Sequence, residues 1–246
     1  MPHYSEKNLF PMQGGCPCGH VRYQVKQAPL LVHCCHCTSC QRELGTAFAV
    51  NAIVESDRLE LLPSAQPAVP GSKGALGGAA LTGFNATFAR LTLSDATCGP
   101  VGAKTEDAEL QATAKADADA NASRDRDRET GTVELVTLPT ESTVGLTVAQ
   151  CCVCHSGLWA HYADGGPYTT YLRVGTLDAA HEIDPDVHIF TRSKRDFVGL
   201  VDGKPRFEAY YKTREDFIRD DCKGRYAALE EKTGAYMAEL RASLGE

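Results

Sequence analysis

Apolar and polar positions alternate over residues 21–25, form a nearly unbroken apolar run over 48–54, and alternate again over 58–61. Period-two alternation predicts half-buried strands, and a short continuous apolar run predicts a strand covered on both faces. The same style resumes at 132–138 and continues through Trp159, Tyr162, 170–174 and 187–190. Turn chemistry such as Asp164-Gly165-Gly166-Pro167 and Asp202-Gly203-Lys204-Pro205 separates these stretches. The expectation is a mainly β fold of short strands whose core is split in sequence. After Tyr211 the chain turns to Ala, Glu, Lys and Arg, with Tyr226, Leu229, Met237, Leu240 and Leu244 near helical spacing. This predicts a C-terminal helix, broken near Gly234, whose apolar stripe packs on the β body or on a second subunit, a route to a homo-oligomer.

The stretch 63–131 breaks the pattern. It opens rich in Pro, Gly, Ala and Ser, and 105–128 is dominated by Ala, Asp, Lys and Arg; no aromatic residue occurs between Phe88 and Trp159. Such a composition buries too little to offset the entropy of ordering, so a disordered insertion is expected, with Leu76, Leu81, Phe84 and Phe88 docking loosely at most. The domain organisation predicted is a discontinuous body over 13–62 and 132–211, the insertion over 63–131, and a helical segment over 212–246.

Composition narrows the function. With 246 residues and 43% hydrophobic residues the chain can bury a core, and its formal charge of -7 argues against nucleic acid or an anionic membrane as the main partner. No segment approaches the roughly 20 apolar residues needed to span a bilayer, and the first residues lack a signal-peptide core, so a cytoplasmic protein is expected. Eleven cysteines in a reducing compartment then point to metal binding or thiol chemistry rather than to disulfides. Cys16-Pro17-Cys18 and Cys35-His36-Cys37 are also too closely spaced to bridge internally without strain.

The spacing supplies the chemistry. Cys16-x-Cys18, Cys35-x-Cys37-x-x-Cys40 and Cys151-x-x-Cys154 are three metal hooks, because a tight turn aims both sulfurs at one ion while backbone amides hydrogen-bond the thiolates. Seven ligands exceed one tetrahedral ion and fall one short of two. A closed four-cysteine zinc site beside a three-cysteine site with an open position follows. Cys35, Cys37 and Cys40 form the only triplet in one short loop, leaving Cys16, Cys18, Cys151 and Cys154 for the closed site, which would clamp the chain across the insertion. His36, His33 or His20 could supply a fourth ligand to the triplet. Cys34, Cys98, Cys152 and Cys222 are read as small packed residues, and His155, His161 and His188 as structural.

Gly14 through Tyr23, the run Cys35-His36-Cys37-Thr38-Ser39-Cys40-Gln41-Arg42, the Cys151/Cys154 hook, and residues 173–178 and 185–189 resemble the glutathione-dependent formaldehyde-activating (GFA) and centromere protein V family. The resemblance implies a β-tent fold of small antiparallel sheets round two zinc ions. It further implies that Cys16, Cys18, Cys151 and Cys154 are structural and that Cys35, Cys37 and Cys40 are catalytic. Two departures stand out: His155 occupies a position where the family usually has Gly, and the insertion separates the second and third hooks widely.

The activity expected is carbon–sulfur bond formation or cleavage on a small thiol such as glutathione, a carbon–sulfur lyase or synthase that makes S-hydroxymethylglutathione from formaldehyde. Three thiolate ligands weaken zinc as a Lewis acid, which suits presenting a thiol nucleophile better than making hydroxide. Arg22, Arg42 and Lys194 are candidate anchors for the thiol's carboxylates. The alternative is a non-catalytic zinc module that binds a protein partner; a nucleic-acid zinc ribbon is opposed by the acidic balance.

Overall fold

In a computed structural model, residues 2–63, 133–138 and 145–244 are described. The insertion expected over 63–131 falls, from residue 64 onward, outside the described residues, as does Cys98. The fold is mainly β, with two sheets and a C-terminal helix.

The smaller sheet has three antiparallel strands in the order β1 (Met12–Gly15), β2 (Arg22–Val25) and β5 (Leu59–Leu62). Alternation in β2 buries Tyr23 and Val25 and leaves Arg22 and Gln24 partly exposed, the pattern of a sheet with one dry face. The larger sheet has seven strands. Its centre is β3 (Leu31–Cys35), β4 (Ala49–Glu55) and β9 (Thr169–Arg173), continued on one side by β8 (Gly157–Tyr162), β7 (Leu146–Cys151) and β6 (Val133–Leu138). On the other side lies β10 (Val187–Ile189), which pairs with β3 in parallel, the one departure from antiparallel pairing among the described strands.

Every residue of β3 and of β9 is buried, because the large sheet is covered on both faces. Alternation sorts the two cores. Val32, Ala52, Val54 and Leu172 pack on one side with Tyr23 and Val25 of the small sheet and with Val21 just before it. Leu31, Ile53, Tyr171, Val187 and Ile189 pack with Tyr211, Ile218, Tyr226 and Leu229 on the other. Burying about ten such side chains on each face, at roughly 1.5–3 kcal/mol apiece, supplies most of the drive to fold.

The second face is closed by α2 (Lys223–Leu244). Arg225 grips both carboxylate oxygens of Glu55 at 2.7 and 2.6 Å and donates to the Ala28 carbonyl at 3.0 Å, tying the helix to β4. The break expected at Gly234 is absent; the helix runs through it, carried by Leu229 to Lys232 before it and Ala235 after it, with nothing packed against the glycine. The predicted stripe also packs only in part. Tyr226 and Leu229 are buried and Tyr236 meets the Tyr168 ring edge-on, but Leu240 is exposed. No helix among the described residues is long and apolar enough to cross a membrane.

Candidate metal centres

Three groups of potential ligand atoms converge among the described residues, in each case within 4.8 Å of one another. The first is Cys16, Cys18, Cys151 and Cys154. Cys16 and Cys18 sit in the turn between β1 and β2, where the Cys16 amide donates to the Val21 carbonyl at 3.0 Å and the Gly19 amide to the Cys16 carbonyl at 3.1 Å. Gly14, just before the turn, lies so close to its neighbours that a Cβ would stand 2.6 Å from the Thr176 carbonyl oxygen. Cys151 ends β7, and the turn beyond it is closed by His155 N–H donating to Cys151 O at 2.9 Å and Cys151 N–H donating to Ser156 O at 3.0 Å. Residues on opposite sides of a gap of more than a hundred positions thus meet at one point.

The donor set fits a tetrahedral soft ion. The Cys16–Cys18 and Cys18–Cys151 sulfurs are 3.3 and 3.7 Å apart, against the edge of about 3.8 Å that four Zn–S bonds of about 2.3 Å would require. Backbone amides already face the sulfurs, Val21 N–H to Cys16 at 3.2 Å and Val153 N–H to Cys151 at 3.4 Å, the arrangement that stabilises thiolates. Thiols packed this closely cannot ionise independently. Donation from Cys16 and then Cys18 holds Cys154 far below the usual thiol range, while donating to Cys154 pushes Cys18 far above it. A divalent cation would remove that conflict.

The turn also explains a departure noted in the sequence. His155 has a φ of 57°, in the left-handed region where a side chain costs about 1–2 kcal/mol and glycine costs nothing. Its ion pair with Glu134, 3.9 Å long between exposed groups, offsets little. Replacing His155 with Gly is expected to raise stability by about 0.5–1 kcal/mol after the added chain entropy, a gain of about 2 °C in Tm. An unchanged or lower melting temperature would show that the histidine has a compensating partner.

The second group is Cys35, Cys37 and Cys40. Cys35 ends β3, Cys37 caps the short helix α1 (Thr38–Leu44), and Cys40 lies in its first turns. The Cys37 sulfur accepts the Cys40 amide at 3.3 Å, the bond a capping side chain makes to the third helical residue. Gln41 holds the loop by donating to the carbonyls of His36 and Ser193, both at 2.8 Å. Donation from Cys35 and then Cys40 lowers the Cys37 thiol to about 2, and Cys35 rises far above its usual value by donating to Cys37. Cys40 accepts from Cys35, yet its bond to Cys37 and its burial push it up to about 12. Arg173 lies buried beside this group, held by Asn51 and Glu43. Cys35 and Cys40 are buried and Cys37 is half-buried.

None of the histidines weighed as a fourth ligand joins the triplet. His33 bonds the Tyr211 hydroxyl at 2.6 Å, and His20 lies 3.5 Å from the Cys152 sulfur. His36 turns to the opposite side of the strand, where it forms the third group with Cys34 and His188. Cys34 and His188, expected from the sequence to be packing and structural residues, both belong to this group. Within β3, Cys34 points to the face opposite Cys35, and the parallel register with β10 brings His188 to it.

A cleft of about 450 Å³ runs along α1 from Thr38, adjacent in sequence to Cys37, and is lined also by Gln41, Arg42, Arg195 and Phe197. Of the anchors considered from sequence, only Arg42 lines it. Arg22 is engaged with Asp178 at 2.5 and 3.0 Å, and Lys194 caps the carbonyls of Arg195 and Val198.

All ten described cysteines are free thiols. No curated protein matches the chain. A family match does: its range takes in the first hook and the triplet and stops short of Cys151 and Cys154. Residues 11–81 match the family described as glutathione-dependent formaldehyde-activating enzyme, GFA, which supports the resemblance carried by the cysteine motifs.

Proposed function

We propose that the protein is a zinc-dependent carbon–sulfur lyase or synthase acting on a glutathione-like thiol, with Cys16, Cys18, Cys151 and Cys154 holding a structural ion and Cys35, Cys37 and Cys40 a catalytic one. The observation that carries this reading is the asymmetry of the two cysteine groups: four sulfurs meet at one point and three at the other, where no histidine or carboxylate among the described residues joins the group. A zinc ion on the three sulfurs would supply a cationic centre at which an incoming thiol loses its proton. The reaction then balances simply. The thiol sulfur bonds the carbonyl carbon of formaldehyde, the C=O π bond breaks, and the proton given up by the thiol ends on the oxygen, giving the S-hydroxymethyl adduct.

The chain's own residues position that encounter. The half-buried Cys37 marks the approach to the triplet, and the α1 cleft offers the Arg42 and Arg195 guanidiniums to the carboxylates of a peptide thiol. Arg42 is in no ion pair among the described residues, and Arg195 stacks at 6.0 Å on Phe197.

The test is direct. Metal-replete protein should speed the exchange between free formaldehyde and S-hydroxymethylglutathione, followed by magnetisation transfer between their methylene signals. A rate equal to the spontaneous one at every protein concentration would refute the reading. Arg42→Ala and Arg195→Ala should each raise KM for glutathione about tenfold, the loss of one charged hydrogen bond, with kcat nearly unchanged. The same variants should leave the rate with a neutral thiol such as 2-mercaptoethanol unaltered; an equal loss with both thiols would remove the arginines from substrate binding.

A further inference from the structure

Cys34, His36 and His188 are three buried polar side chains, 4%, 0% and 5% exposed, on the face of β3 opposite the triplet. Cys34 and His188 are cross-strand partners in the parallel β3–β10 pair, and the His36 amide donates to the Ile189 carbonyl at 3.0 Å. The next segment pins His188 from the far side, its amide donating to Pro205 O and its carbonyl accepting from the Phe207 amide, both at 2.9 Å. Backbone hydrogen bonds therefore fix the positions of all three residues.

Hydrogen bonding within it is frustrated. The His36 Nε2 lies 3.1 Å from His188 Nδ1 and 3.5 Å from the Cys34 sulfur, so one ring nitrogen serves two partners, while His36 Nδ1 is buried with none. His188 is already oriented for another role: its Nε2 meets the Asp202 carboxylate at 2.7 Å, which leaves the Nδ1 lone pair facing the cluster. A carboxylate behind a histidine in this way is the usual support of a metal-ligating imidazole. The spacing agrees. Zinc with Zn–N of about 2.05 Å and Zn–S of about 2.3 Å has tetrahedral edges of about 3.3 Å between nitrogens and about 3.5 Å between nitrogen and sulfur.

We propose that Cys34, His36 and His188 form a further metal site, separate from the two cysteine groups, which binds a borderline divalent ion such as zinc through one sulfur and two nitrogens, with Asp202 orienting His188. Asp202 is about one-third exposed, so the site has a polar side open towards solvent. A sulfur-and-imidazole donor set of this kind suits zinc and its late first-row neighbours and not magnesium or calcium. Because both cysteine groups lack histidine, this is the one group among the described residues that would give the protein imidazole-ligated metal.

The experiment uses full-length, tag-free protein purified with zinc and dialysed against metal-free buffer, with metal content per chain and the zinc absorption edge measured together. The wild type should show nitrogen ligation beside sulfur. Cys34→Ala and His188→Gln should each lose one equivalent of zinc and the imidazole scattering, while Cys37→Ser should keep the imidazole scattering. An all-sulfur edge in the wild type overturns the proposal even if the variants misfold, and unchanged metal content in Cys34→Ala does the same. Neither result bears on the thiol activity, which fails or stands on the exchange assay.

Discussion

Replacing Cys151 with serine is expected to unfold much of the protein. The residue is fully buried in the core shared by the two sheets, beside Val21, Tyr23, Leu158 and Trp159, and its sulfur belongs to the group that joins the β1–β2 turn to the end of β7. Structural zinc on such a group contributes about 10–16 kcal/mol of apparent folding free energy, as much as the whole net stability of a typical domain, about 5–15 kcal/mol. With the proposed ion in place, losing one ligand and leaving a hydroxyl buried among apolar side chains would remove more than the fold can spare. Trp159 reports the outcome without a label. It is the sole tryptophan, 7% exposed, with its ring edge-on to Tyr23 at 5.9 Å. Its emission should shift to the red in Cys151→Ser, and a strong chelator should shift it likewise in the wild type, reversibly on adding zinc. A variant that keeps its blue emission and melts within a few degrees of the wild type would show that the four sulfurs do not hold a stabilising ion.

Much of this arrangement was legible in the chain because period-two patterning and cysteine spacing are local signals. The runs at 48–54 and 170–174 became β4 and β9, each within a residue or two of the expected bounds. The β3 strand was not read, because Leu31-Val32-His33-Cys34-Cys35 mixes polar residues into a strand buried on both faces, and alternation vanishes where both faces are dry. The parallel pairing of β10 was also hidden, since register between distant segments leaves no mark on either one. At the sites, the two cysteine groups follow from spacing, whereas the meeting of Cys34 with His188 depends on that same long-range register. The helix break expected at Gly234 failed for a simpler reason: one glycine costs about 1 kcal/mol, less than the contacts of Tyr226, Leu229 and Tyr236 contribute to holding the helix in place.

Cys37→Ser should produce the opposite result to Cys151→Ser: activity lost, fold kept. Cys37 lies at a helix cap on the edge of the second core, and serine is among the best capping residues, so its hydroxyl can take over the bond from the Cys40 amide. The packing of Leu31, Ile53, Tyr171, Tyr226 and Leu229 is untouched. What changes is the donor set. A neutral hydroxyl is a poor ligand for a borderline-soft ion, so the triplet would offer the proposed zinc two thiolates in place of three, too few to hold it. Exchange between formaldehyde and S-hydroxymethylglutathione should fall to the spontaneous rate, while Trp159 emission stays at its wild-type position and the melting temperature drops by a few degrees. Loss of the folded state would instead assign the triplet a structural role, and full activity would remove Cys37 from the chemistry. Burial alone would separate the two serine variants in stability, since Cys151 is fully buried and Cys37 half-buried; the loss of exchange activity in a folded Cys37→Ser is what assigns the triplet to the chemistry.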